Sequence, residues 1–231
     1  MNSPILSRIP RGERVLPLLL GALVVLIFAS APLADMELIR RPLLGMLMVV
    51  VVLSGVLTLG GQGRLSRPIV ALGLLLFGIE TYAAAAGRSS ALTMAAEAVA
   101  TLFLILLCAR LLLRVFSHGR MTVRRLMGAV IVYLLAAIIF AIFFDATERL
   151  APGAFNLGPD PSPTAPHGVR FFYLSVITLT SVGFGDLTPL HPIARSLVML
   201  EALLGQIYMT VVLGWLVSLQ IAHRPADLDK D

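Results

Sequence analysis

Nine consecutive residues, Thr178-Leu179-Thr180-Ser181-Val182-Gly183-Phe184-Gly185-Asp186, carry the most specific chemistry in this chain. Two glycines one residue apart admit backbone torsions that other residues avoid. Alternating permissive and ordinary positions can turn successive carbonyl oxygens to one side. Lipid cannot satisfy such oxygens, so extended backbone at membrane depth must be buried in protein or line a pore. A ring of inward carbonyls replaces the water shell of a desolvated cation. The hydroxyl of Ser181 can add a further oxygen at the inner end. This is ion coordination rather than bond making: the sequence shows no phosphate-binding loop, zinc-ligand pattern or acyl-transfer motif.

The elements that must hold this segment are apolar helices. The chain has 231 residues, 58% of them apolar and only 13% charged, with a mean hydropathy of +0.93. Soluble domains carry about 25% charged residues, and disordered chains are poor in apolar ones. The single cysteine, Cys108, sits in an apolar run and excludes a disulfide scaffold. An integral membrane protein remains. Crossing the bilayer takes roughly 20 mainly apolar residues. Six stretches qualify, at residues 15–34, 42–60, 68–87, 91–116, 126–144 and 193–222. The first has the basic approach (Arg8, Arg11, Arg14) and small residues (Ala29-Ser30-Ala31) of a cleavable signal. Its apolar run exceeds the usual signal core of about 7–15 residues, and Pro32 would follow the cut, so we read it as a retained helix.

Between the fifth and sixth stretches, residues 151–168 are rich in proline and glycine and predict an exposed outer loop. Residues 167–180 are amphipathic but too short to span, which predicts a half-length helix that enters the membrane and stops. Its C-terminal end, near Thr180, would point partial negative charge at a cation. Basic residues favour one side: Arg8, Arg11, Arg14, Arg64, Arg67, Arg114, Arg120, Arg124, Arg125, Arg224 and Lys230 outnumber Arg40, Arg41, Arg88, Arg149, Arg170 and Arg195. That bias predicts a multi-pass protein of the cell membrane with both termini cytoplasmic. The net charge of +5 then reflects topology and requires no nucleic acid.

Residues Thr178 to Asp186 closely resemble the signature of the potassium channel family, Thr-x-Thr-Thr-Val-Gly-Tyr/Phe-Gly-Asp, in the place where that family carries it. The resemblance, helix–pore loop–helix, covers about residues 124–222. It implies an all-α integral membrane protein: six transmembrane helices, with a re-entrant pore helix and selectivity-filter loop between helices five and six. It implies potassium coordination by Ser181, Val182, Gly183 and Phe184, with Gly185 closing the outer mouth and Thr178, Thr180 and Asp186 as support. Potassium is then the permeant ion, no other cofactor is needed, and transport is passive. One copy of the motif cannot enclose an ion, so four chains should form a homotetramer in the lipid bilayer. The domains expected are a cytoplasmic N-terminus (1–14), a four-helix transmembrane domain (15–116), a cytoplasmic linker (117–125), a pore domain (126–222) and a short cytoplasmic tail (223–231).

Three positions depart from the family pattern. Ser181 replaces threonine and loses the methyl that helps fix its rotamer. Phe184 replaces the commoner tyrosine. Ile177 stands where some members keep an acid paired with the filter aspartate, so Asp186 needs another partner, for which Tyr173 is the candidate.

On the sixth stretch, Gly205 is either a bend in the inner helix or a point of close packing. Gln206, Met209 and Leu213 follow at helical spacing and can face a cavity below the filter; Gln206 can instead bond a neighbouring helix, and Gly214 is a second possible bend. Glu201, a carboxyl in a membrane segment, is a functional candidate. It can brace the back of the pore loop through hydroxyls or Arg195. Asp145, Glu148 and Asp160 either enrich cations near the mouth or are simply solvated. The fourth stretch offers only Arg110 and Arg114, which predicts weak or absent voltage sensing despite the layout. Glu80 and Glu97 are either interhelical pairing groups or proton-linked gates, and Cys108 is a packing residue. The tail leaves no room for a regulatory domain, so regulation would need a separate protein. The expected function is a potassium-selective channel. Alternatives are a weakly selective cation channel, a non-conducting accessory subunit, and a secondary transporter, for which no inverted repeat is visible.

Overall fold

The computed structural model describes residues 16–30, 51–52, 70–76, 78–79, 90–116, 122–158 and 167–222. The N-terminus, the C-terminal tail, Glu80, Asp160 and most of the second and third apolar stretches lie outside the described residues.

The described chain is mostly helical. Helix α1 spans Leu16–Ser30, α2 Ser90–Val115, α3 Val123–Leu150, α4 His167–Leu179 and α5 Pro192–Ala222. Residues 51–52, 70–76 and 78–79 are also helical. Among the described residues, three stretches are long and apolar enough to cross a membrane: Ala95–Val115, Arg125–Leu150 and Pro192–Val212. They coincide with the fourth, fifth and sixth stretches expected from composition. The apolar runs Leu16–Val25 and Gly168–Leu179 are shorter.

Helix ends follow local chemistry. Helix α5 opens on Pro192, whose missing N–H would have no intrahelical partner there. Helix α3 starts after an extended Thr122 and ends at Ala151, which leaves the helical region at φ −134° just before Pro152. It therefore outruns the apolar stretch that ended at Phe144. Its last turns are polar, with Arg149 paired to Asp145 one turn back at 2.5 Å and reaching across to Glu97 of α2 at 2.8 Å. Glu97 thus joins two helices. Both partners of that bridge are substantially exposed, so a double-mutant cycle on Glu97 and Arg149 should return a coupling of only about 0.5 kcal/mol.

Helix α3 is the hub: it packs against α1, α2, α4 and α5, and α4 also packs on α5. One core lies among α1, α2 and α3, built on the fully buried Leu19, Leu23, Phe103, Leu107, Leu111, Ile131 and Leu135. Cys108 is half-buried against it. A second core joins α3, α4 and the start of α5 through Phe140, Phe144, Phe155, Phe171, Leu174, Ile177 and Ala194. Strand β1 (Phe155–Asn156), between α3 and α4, pairs antiparallel with β2 (Thr188–Pro189), Phe155 opposite Pro189 and Asn156 opposite Thr188. That pairing closes a loop in which α4 and the nine-residue motif are held at both ends.

Candidate functional site

The motif begins inside α4 and leaves it after Leu179. Helix α4 is seated by three contacts. The Tyr133 hydroxyl of α3 donates to the Leu179 carbonyl at 2.8 Å. The Ser175 hydroxyl reaches both the Ala137 carbonyl of α3, at 2.8 Å, and the Glu201 carboxyl of α5. Gly205 of α5 lies so close to Leu179 that a Cβ would overlap its carbonyl oxygen and sit 3.1 Å from the carbonyl carbon.

Beyond Leu179 the backbone folds back on the helix end. Ser181 N–H donates to the Thr178 carbonyl at 2.9 Å, and Val182 and Gly183 N–H donate to the Ile177 carbonyl at 2.9 and 3.2 Å. Every described peptide here is trans. In a planar trans peptide the carbonyl points opposite to the N–H that shares its bond. The carbonyls of Thr180, Ser181 and Val182 therefore all point away from α4, on one side. The φ angles continue the pattern: 59° at Ser181, 50° at Gly183 and 79° at Gly185, with Val182 and Phe184 between them in the ordinary range. Ser181 is the one non-glycine residue with positive φ among the described residues. Such alternation gathers N–H groups on one face of the strand and leaves the carbonyls on the other.

Side chains hold both ends. At the inner end the Gln206 amide donates to the Ser181 hydroxyl oxygen at 2.9 Å, and the Thr180 hydroxyl turns back to the Val176 carbonyl at 2.7 Å. At the outer end the Tyr173 hydroxyl faces the Asp186 carboxylate. Gly158 abuts the Asp186 carbonyl, where a Cβ would come within 2.7 Å. Arg170 donates to the Leu157 carbonyl of the same loop. Leu190 N–H bonds the Ala154 carbonyl at 2.8 Å. Thr178 is buried, whereas Ser181 through Asp186 are exposed on the single chain, Val182 at 53% and Phe184 at 71%.

The structure thus brings together Ser181 with Gln206, Asp186 with Tyr173, Glu201 with Ser175, and Gly205 with the end of α4. Met209 is exposed on α5, and the Leu213 side chain lies outside the described residues. Arg195 is not the partner of Glu201; it donates to the Pro189 carbonyl at 3.3 Å. Two acids expected in the outer loop are tied down: Asp145 to Arg149, and Glu148 to the N–H groups of Gly153 and Phe155 at 2.8 and 3.0 Å. Tyr133 and Tyr208 escaped the sequence reading. Their rings stack at 5.8 Å, and Tyr208 donates to the Ala129 carbonyl at 2.7 Å. A phenol within an otherwise apolar helix was the available signal. No cluster of three or more His, Cys, Asp or Glu able to hold a metal occurs among the described residues.

The segment from α3 through α5, residues 127–220, matches the ion channel family. A curated potassium channel matches within the same chain: the inward rectifier potassium channel Kirbac3.1 of Paramagnetospirillum magnetotacticum, 32% identical over 83 residues. This stretch is similar to ion channel domains and, over a shorter length, to that potassium channel. The aligned part is 34% of this chain and 24% of the relative, so the chain spans about a quarter of the curated relative's length. No solved structure matches the chain significantly. The apolar helices are those of a membrane protein, and the match over residues 127–220 is to a channel family rather than to an enzyme family.

Proposed function

We propose that this chain forms a potassium-selective channel, four copies surrounding one pore. The observation that carries the reading is the shared direction of the Thr180, Ser181 and Val182 carbonyls, fixed by N–H groups turned back on α4 and continued by alternating φ through Gly185. Oxygens ranked on one side of a strand suit replacement of an ion's hydration shell once copies of that strand face each other. Ser181, Val182, Gly183 and Phe184 are the coordinating residues, Gly185 the outer closure, and α4 the re-entrant pore helix. Thr178, Thr180, Tyr173 and Asp186 hold the filter, and Gln206, Met209 and Leu213 line the cavity. The exposure of Val182 and Phe184 on the single chain supports assembly, since neighbouring copies would cover them. Six spans with both termini cytoplasmic complete the topology, and transport is passive.

Purified protein recorded as single channels under asymmetric potassium and sodium tests this. The expected result is a reversal potential near that of potassium and block by barium. Equal permeability would replace the reading with a weakly selective cation channel, and absence of any barium-sensitive flux would replace it with an accessory subunit. The same recordings should give a shallow conductance–voltage curve. A full charge crossing is worth about 2.3 kcal/mol per 100 mV, and α2 carries only Arg110 and Arg114, both near its C-terminal end. A steep curve equivalent to several gating charges would refute that.

A further inference from the structure

Glu201 is fully buried, at 0% exposure, and so is Ser175. The Ser175 hydroxyl has one hydrogen and two oxygen neighbours, the Ala137 carbonyl and Glu201 Oε1. A carbonyl cannot donate. If Glu201 were a carboxylate, one of these two contacts would set lone pair against lone pair. If Glu201 keeps its proton, both bonds form: the acid donates to Ser175 Oγ, and Ser175 donates to Ala137. The other carboxyl oxygen, Oε2, is buried without a hydrogen-bond partner. That is tolerable for the carbonyl oxygen of a neutral acid and far costlier for half of an anion.

Among the described residues, the groups around Glu201 supply no positive charge. Tyr133 of α3 faces the carboxyl. Arg170 of α4 is engaged with the Leu157 carbonyl, and Tyr173 of α4 faces Asp186. Arg195 and His191, at the head of α5, bond Pro189 and Ile193. Asp145, Glu148 and Arg149 of α3 bond one another, Glu97 or the outer loop. No Lys, Arg or His pairs with Glu201 among the described residues.

The geometry points to Glu201 as a proton-carrying positioning residue: a neutral acid heading a relay, Glu201 to Ser175 to Ala137, that fastens α4 to α5 and α3 behind the filter. This rests on the channel reading for its consequence but not for its chemistry. Ser175 lies one turn before Leu179, so the relay holds the helix end on which Val182 and Gly183 fold back. Stripping the proton by raising pH breaks one of the two bonds and loosens that seat.

The test is infrared difference spectroscopy with potassium flux on the full chain in liposomes, stepped from neutral to alkaline pH. Wild type should lose a protonated-carboxyl stretching band that Glu201→Gln lacks throughout. Wild-type flux should fall reversibly as the band disappears, while Glu201→Gln, a neutral donor of the same shape, should match wild type at neutral pH and stay flat. If Glu201→Gln does not assemble, Ser175→Ala serves: the band persists but moves to higher frequency because its acceptor is gone. A neutral-pH spectrum without a Glu201-dependent band, no shift in Ser175→Ala, or a Glu201→Gln flux profile that titrates like wild type overturns the inference. Failure of the channel reading shows differently, as the band present with no potassium flux.

Discussion

Gly205→Ala should destabilise the protein and cut potassium flux, although alanine is the better helix former. In a helix interior, glycine to alanine ordinarily gains about 0.5–1 kcal/mol. Here the added Cβ would overlap the Leu179 carbonyl oxygen and lie 3.1 and 3.2 Å from the Leu179 carbonyl carbon and Cα. These are backbone atoms at the end of α4, already held by the Tyr133 hydroxyl, so they cannot rotate away as a flexible side chain would. Overpacking of this kind costs about 1–3 kcal/mol, and relief comes only by pushing α4, and the strand that folds back on it, off their seat. Gly214 is the control. It lies on the same helix, and a Cβ added there would meet nothing within 4 Å, so Gly214→Ala should be neutral or slightly stabilising. Thermal melts and liposome flux of the two variants decide the issue. A pure hinge role for Gly205 predicts the opposite sign, a stabler protein with altered open probability. A Gly205→Ala variant that melts at or above wild type would therefore remove close packing as the reason for this glycine.

That contrast shows which features were legible before the fold was known. The backbone course of residues 181–185 was legible in part because its requirement is local: Gly183 and Gly185 mark positions where φ turns positive, and torsional preference is written in residue type. The positive φ of Ser181 was not legible, since serine carries no such preference. The helices α2, α3 and α5 were legible because apolar length is local too. Gly205 was ambiguous, since a glycine's sequence neighbours do not say what approaches it from another helix. Glu201 was recognised as costly, but Ser175 and Ala137 lie 26 and 38 positions away along the chain from their respective partners Glu201 and Ser175, and only packing selects them. The alternative of Arg195 failed because that side chain sits at the β2 end of α5 and takes the nearer Pro189 carbonyl. The end of α3 was misplaced for a different reason. Apolarity stops at Phe144, but helix formation does not, since Asp145 and Arg149 support the last turn and Pro152 sets the boundary.

Gly183→Ala should leave the fold intact and abolish selective conduction. The site has space, with nothing within 4 Å of an added Cβ, but its φ of 50° is left-handed. An L side chain there costs about 1–2 kcal/mol, which alone shifts a two-state backbone by about tenfold in each chain. The strain has a specific outlet. Rotating the peptide that joins Val182 and Gly183 breaks the longer of the two bonds to Ile177, 3.2 Å against 2.9 Å, and swings the Val182 carbonyl out of the shared direction. Four strands around a pore would each feel the same bias, so few assemblies would keep a complete ring. Helical content and melting should stay near wild type, because no packed atom is disturbed, while potassium flux falls by about tenfold or more and the reversal potential moves toward that of a nonselective pore. Gly168→Ala, equally open but with φ outside the left-handed region, should conduct normally. A Gly183→Ala channel with unchanged reversal potential would mean that the carbonyls aligned by this strand are not what selects the ion.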